Sequence, residues 1–456
     1  MTGGVHNALR ALAARMTTTI VAIGVLLLAA YLAAMVVFAK PDGRVVFGDA
    51  THHFVQLRSM VFDRDLSFQN EYIALYKLKG DEAQNDYVFT ELTVTGRVRN
   101  YMPIGPALLW APLYVLAAAA QWLLAVAGLA ARPDGYGRIL QMMPGVTGVI
   151  AATAAAWLSW RLARRVTDDV SAAVATLAIW LGSHAVYYSL VSPAYSHSAS
   201  MFTSAIFFNV WLTTRKQRTV ATFASWGALA GLCALMRWQD VVFAAIPAIE
   251  ALRWRTTPGR RFQALAAAGL TWLITFTPQM IVWNALYGQP FAIPQGPSFM
   301  QWGSPFLLSV LFSVSHGLFS WAPILVPAVW GLAIWLRRDR DVALPIAVFV
   351  GLSWYVNAAV SDWWAGEAFG ARRFLSLFPL FVVGMAAWLQ AATGDAARLR
   401  RLALTAALFV ANGLLLLQYQ LFMKGLSSVA PLPHEPFDMW LARFVVPFRL
   451  LAWWLR

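Results

Sequence analysis

The stretch "TTTIVAIGVLLLAAYLAAMVVF", residues 17–38, decides the fold. It holds no charged side chain, and as a helix it is long enough to cross the ~30 Å apolar core of a bilayer. Arg10 and Arg15 precede it. It is longer than a signal-peptide core and lacks a small-x-small cleavage pattern, so it is expected to stay as a first membrane helix. Working outward, similar runs recur at 104–129, 139–160, 170–190, 198–214, 220–236, 241–252, 262–284, 321–336, 342–360, 374–391 and 402–423. Residues 306–318 suit a shorter re-entrant or interfacial helix, and Met439 to Arg456 suit an amphipathic interfacial helix rich in Trp, Phe and Arg.

Composition agrees with this reading. Of 456 residues, 59% are hydrophobic and 12% are charged, against about 25% charged in a soluble chain. Backbone groups in a bilayer must pair internally, so an all-α bundle of about 11–12 membrane helices in a single domain, 1–456, is expected. Continuous rather than alternating apolar runs argue against a membrane β-barrel. The net charge of +14 comes largely from short basic clusters between runs: Arg161/Arg164/Arg165, Arg215/Lys216/Arg218, Arg253/Arg255/Arg260/Arg261, Arg337/Arg338/Arg340 and Arg398/Arg400/Arg401. These read as cytoplasmic topology signals rather than as a nucleic-acid surface. The one cysteine, Cys233, lies in an apolar run and excludes an intramolecular disulfide.

With the basic clusters inside, 191–197, 237–240, 285–305, 361–372 and the C-terminal tail fall outside. Arg10 and Arg15 place 39–103 outside as well. Parity then allows two crossings between 103 and 191, where three apolar runs occur. Either one run does not cross fully or Arg161–Arg165 break the positive-inside rule. Residues 39–103 form the one sizeable polar loop: nine of the 21 acidic residues lie within 41–100. A loop of that length in a compact protein is usually functional.

Asp49 opens this loop's most chemical stretch, "FGDATHH", just after Gly48. The residues alone leave two readings open: a helix N-cap, or a general base toward an acceptor hydroxyl. Ala50 to Phe62 has helical apolar spacing (Phe54, Leu57, Val61), which suits a helix lying along the interface. His52 and His53 diverge by about 100° on a helix, so they suit hydrogen bonding better than one shared metal. No metal ligand set is assigned. Arg58 and Glu71 complete the loop's candidates for substrate contact. In "RVRNYMPIGPALLWAPLY", residues 97–114, Arg97 and Arg99 suit a phosphate or lipid headgroups. His197 in "SPAYSHSASMF" and Arg237 and Asp240 in "LMRWQD" sit at outer helix ends and suit a polar ligand. "SDWWAGEAFGARRF", residues 361–374, is a second dense outer loop, with Trp363, Trp364, Glu367, Arg372 and Arg373. Arginines on the outer face run against the positive-inside trend and favour an anionic ligand, and Trp planes stack on sugar rings.

Taken in order, "FGDATHH", "DRDLSFQNEY", "YMPIGPALLWAP", "RLARRV", "SHGLFSWAP" and "DWWAGEAFGARRF" resemble the GT-C superfamily of membrane glycosyltransferases. The bacterial branch with aminoarabinose transferase and the protein O-mannosyltransferases is the most similar. The resemblance implies a polyprenyl-phosphate sugar donor, a glycan, lipid or protein acceptor, and inverting transfer on the periplasmic side of the inner membrane. It implies Asp49 as the base; on their own charge and placement, Arg97 or Arg99, with Arg372 or Arg373, are expected on the donor phosphate. No cofactor is required by it, and a divalent metal is left open. The chain departs from the O-mannosyltransferases in having Asp49-Ala50 where they have Asp-Glu, and "MPIG" where they have an HPPL-type motif. Sugar and acceptor therefore do not carry over.

The alternative is a transporter or flippase of a lipid-linked saccharide. That class expects ionisable groups inside helices near the midplane and paired broken helices. Here the apolar runs are nearly free of charge, and the polar groups gather between them. A non-catalytic scaffold would leave the Asp49 loop unexplained.

Overall fold

The computed structural model describes residues 2–37, 43–76, 92–366 and 368–455. The helices, in chain order, begin with α1 (Thr2–Ala14), α2 (Met16–Val37), α3 (Asp49–Arg58), α4 (Gln69–Tyr76) and α5 (Gly105–Val126). Next come α6 (Arg138–Ala163), α7 (Asp169–Leu181), α8 (Ala185–Leu190), α9 (Ser196–Thr214) and α10 (Val220–Met236). They continue with α11 (Ala245–Arg253), α12 (Pro258–Tyr287), α13 (Leu325–Arg338), α14 (Arg340–Ala358) and α15 (Phe378–Gln390). The chain closes with α16 (Asp395–Met423) and α17 (Pro436–Trp454). Among the described residues there is no strand, only an isolated bridge between Met300 and Val360.

Seven segments are long and apolar enough to cross a membrane: α2, α5, α6, α12, α14, Arg372–Gln390 and α16. The chain is thus an all-helical protein of multi-pass membrane character. Seven is fewer than the 11–12 expected, because some runs form shorter helices, Val220–Met236 with 17 residues and Leu325–Arg338 with 14, and others are broken. The run 170–190 splits at Gly182–His184 into α7 and α8. The run 241–252 begins as a 3-10 segment, Trp238–Ala244, before α11. Residues 306–318 hold only the short helix Ser309–Phe312, and Leu318–Trp321 follows.

Buried positions concentrate on α6 and Arg372–Gln390, whereas α2 and α5 face outward. Apolar side chains such as Leu26, Val37, Leu116 and Leu123 are exposed. Such surface is a liability in water and ordinary in lipid. Lipid gives apolar helices little reason to associate, so close backbone approach through small residues matters more. A Cβ on Gly331 of α13 would lie 1.8 Å from the Gly384 carbonyl oxygen of α15, and one on Gly384 would lie 2.1 Å from that of Ala328. These helices touch backbone to backbone.

One end of the bundle gathers ion pairs between its connections: Arg164–Asp169, Arg398–Asp168, Arg215–Asp339 and Arg218–Glu250. The opposite end gathers Asp49, Tyr195, Arg237 and Arg372. The start of α5 and the residues that follow it, 134–138, adjoin this second end. A Cβ on Gly105 would sit 2.2 Å from the Leu235 carbonyl, two residues before Arg237. At the far side of α5, Arg138 reaches the Met35 and Val36 carbonyls at the close of α2, and the Asp134 carbonyl accepts from Arg58. The Tyr114 hydroxyl, halfway along α5, donates to the Gly135 carbonyl at 2.7 Å. The chain thus starts α5 at the Asp49 end and is back beside the close of α2 when α6 begins, with Arg161–Arg165 at the opposite end.

Candidate active site

Gly48 turns the chain into α3 with φ 55°, and a Cβ there would lie 2.2 Å from the Tyr195 hydroxyl. Glycine is required for both reasons. Gly48, not Asp49, is the N-cap residue, and its backbone conformation sets the helix start. The Asp49 carboxylate instead accepts from Arg372 Nη1 at 2.5 Å. Of the two readings of Asp49, the cap is the one the geometry does not take. Burial acts to push its pKa up, but the Arg372 guanidinium outweighs this and holds the carboxyl below its ordinary value.

Arg372 also donates to the Ala365 carbonyl at 2.9 Å and lies over the Tyr195 ring at 5.5 Å. Its own carbonyl accepts from Arg237 at 3.3 Å, and the same Arg237 nitrogen donates to His197 Nδ1 at 3.0 Å. Arg373 grips Asp362 through its carbonyl and its carboxylate, each at 2.7 Å. Asp240 accepts from Ser200 at 2.7 Å and sits beside Arg237. Trp363, half-buried, and Trp364, exposed, line a narrow cleft of about 10 Å³ with His316, Asn357, Arg372 and Arg373. The result is a compact cluster of arginines and carboxylates in which every guanidinium has a counter-charge at hand.

His53 follows Asp49 by one helical turn and shares its face. Its Nδ1 lies 3.0 Å from the Pro103 carbonyl. Burial above all lowers its pKa to about 4, against the pull of Asp49, so the ring is neutral. His52 turns away, with Nδ1 2.7 Å from the Tyr72 hydroxyl. Asn100 donates to the His52 carbonyl at 2.8 Å, and Gln56 to the Met102 carbonyl at 2.9 Å, which docks the 97–104 stretch on α3. This corrects the expectation of an interfacial α3: every residue from Ala50 to Leu57 is buried, on all faces. Its polar side chains are covered by the 97–104 stretch and by α4, not by solvent or headgroups.

The other candidates fall into two further groups. Arg58 pairs with Asp63 and, at 2.9 Å, with Glu71, and lies 4.5 Å over the Tyr136 ring. Burial raises the Glu71 pKa to about 7 despite Arg58. Arg97 and Arg99 belong to a turn held to the end of α12: Thr95 donates to the Leu286 carbonyl at 2.8 Å, and Tyr287 to the Asn100 carbonyl at 2.9 Å. Glu367 lies outside the described residues.

The cluster also holds residues that the sequence did not single out. His184, inside the run 170–190, is 1% exposed and lies against Gly370. Tyr188 presents its ring to His197 at 4.5 Å. His316, at φ 68°, sits 2.7 Å from the Trp364 carbonyl through Nδ1. The signal for His184 was its neighbours: Gly182 and Ser183 interrupt an apolar run. Among the described residues, no three or more His, Cys, Asp or Glu gather as a metal site would require.

A groove of about 500 Å³, lined by Trp238, Trp272, Phe276, Trp283, Phe291 and Ile293 among others, begins one residue beyond Arg237. Compared with models of known protein families and with curated protein sequences, the chain gives no match.

Proposed function

We propose that the protein is an inverting glycosyltransferase of GT-C type. It would move a sugar from a polyprenyl-phosphate donor to a hydroxyl of a glycan, lipid or protein on the extracytoplasmic face of the inner membrane. The observation that carries this reading is the Asp49–Arg372 pair, with Arg237 and Arg373 beside it. It puts a carboxylate and an anion-binding cation within one hydrogen bond of each other. The adjoining aromatic groove suits an apolar polyprenyl chain.

The chemistry then follows. The donor phosphodiester takes Arg372 from Asp49 by presenting two non-bridging oxygens to the guanidinium fork, with Arg237 and Arg373 beside it to share the charge. Asp49, released from its counter-charge, becomes a better base. The acceptor oxygen attacks the anomeric carbon opposite the phosphate and forms the new C–O bond. The old C–O bond breaks with its electron pair on the phosphate oxygen, where the arginines stabilise it. The acceptor proton passes to Asp49, and the anomeric centre inverts.

The test is a panel of radiolabelled polyprenyl-phosphate sugars supplied to the purified protein with membrane extract. Label should move to a new product with wild type, and Asp49→Asn should lower turnover by about 10²–10⁴-fold. Label that only equilibrates across vesicles, without a new product, would support the flippase instead.

A further inference from the structure

Four ring nitrogens of this cluster are enclosed and have no hydrogen-bond partner among the described residues: His53 Nε2, both nitrogens of His184, and His197 Nε2. The three residues are 0%, 1% and 2% exposed. Buried polar atoms left unpaired are costly, and several in one place call for a ligand or bound water.

Their neighbours set the hydrogens. The Pro103 carbonyl can only accept, so His53 Nδ1 carries the proton and Nε2 presents a lone pair. The Arg237 guanidinium can only donate, so His197 Nδ1 is the acceptor and Nε2 carries the proton. His184, neutral in either tautomer, offers one donor and one acceptor. His184 and His197 adjoin one another through Tyr188. Its ring meets His197, and its hydroxyl bonds the Phe369 backbone; the next residue, Gly370, has its missing Cβ 2.9 Å from that of His184. His53 and His184 are both within electrostatic reach of His197.

We propose that His53, His184 and His197 form a subsite for a neutral, hydroxyl-rich sugar, the group that the donor carries to Asp49. The proposal rests on the glycosyltransferase reading and adds the class of sugar. A hydroxyl both donates and accepts, which is what these nitrogens offer between them. A phosphate oxygen only accepts and would meet the His53 lone pair. A metal needs lone pairs and would meet the His197 N–H. An ammonium group would stand among Arg237, Arg372 and Arg373, whose carboxylate neighbours Asp240, Asp49 and Asp362 are already engaged. An amino sugar is therefore disfavoured.

The experiment uses the full chain in nanodiscs and three phosphodiester lipids: undecaprenyl methyl phosphate (the bare phosphate), undecaprenyl phosphate with one neutral hexose, and undecaprenyl phosphate with one amino pentose. Binding is read by native mass spectrometry. Wild type should hold the hexose form about tenfold or more tighter than the bare phosphate, and the amino form no tighter than the bare phosphate. His184→Leu should lose the hexose advantage and keep bare-phosphate affinity. Its melting temperature should not fall, since no hydrogen bond is removed. His184→Asn should recover part of the advantage. If His184→Leu keeps the full advantage, water alone occupies these nitrogens and the subsite is overturned. A wild type that binds bare phosphate without preferring the hexose, or that prefers the amino form, overturns the subsite alone. A wild type that binds none of the lipids removes the glycosyltransferase reading together with it.

Discussion

Asp49 and Arg372 hold each other in the unliganded protein, and this makes a prediction that a free base would not. If the donor phosphate must displace the carboxylate, removing the carboxylate's charge should help the phosphate. Asp49→Asn should therefore bind bare undecaprenyl phosphate more tightly than wild type while failing in turnover. Equal or weaker binding would show that Arg372 does not exchange partners. Glu71 gives a second residue-scale expectation. Its pKa rises on folding from the ordinary carboxyl value to about 7, with burial as the main cause. Between those values the folded state binds the extra proton, so stability should fall as pH climbs through that window and level off above it. Glu71→Gln cannot ionise and should flatten the fall, an effect on the order of 1–3 kcal/mol. Melting temperatures in detergent from pH 5 to pH 8 read this; parallel slopes for the two proteins would refute it. Asp49 was singled out because it follows Gly48 shortly after an apolar helix, in the chain's one sizeable polar loop. Its partner was legible only as an unplaced outer arginine, since nothing in a linear sequence reports a contact across 323 residues.

At the scale of elements, apolar length located most helices to within a few residues, but length alone does not say whether a helix crosses. α5 has the length and the composition, yet the chain that follows it is back beside the close of α2 by Arg138. Conversely, the run 170–190 looked continuous, and its break at Gly182–His184 is what brings His184 inward. α3 misled through its periodicity: an amphipathic pattern is indifferent to whether the polar face meets water or a buried polar stretch of the same chain. Helix contacts permit a sharper test. Gly384→Leu would drive a side chain into the Ala328 carbonyl and should cost about 1–3 kcal/mol or more. Gly351→Ala and Gly269→Ala, which meet nothing within 4 Å, should be tolerated. Comparable losses of melting temperature in all three variants would mean that α13 and α15 do not approach as described.

For the molecule as a whole, the Asp49–Arg372 bond requires the loop before α5 and the loop after α14 to share one side of the membrane. Cysteines introduced at Thr95 and Trp364, both exposed, test this in a Cys233→Ala background. A membrane-impermeant maleimide should reach both from the same face, and cysteines at Arg255 and Arg400 only from the other. Labelling of Thr95→Cys and Trp364→Cys from opposite faces would rule out a shared site. The basic clusters predict the same sidedness, and they leave open the parity of the segment 103–191, where three apolar runs occur.

The long reach of the Asp49–Arg372 contact also has a consequence in time. Synthesis at ~5–20 residues per second puts roughly 16 to 65 s between the emergence of its two halves. For that interval the first membrane segments are already inserted while the carboxylate waits without its cation. A nascent chain stalled before Arg372 would therefore expose an incomplete, unpaired site. The Asp49–Arg372 pair can form only after about four-fifths of the chain has been made.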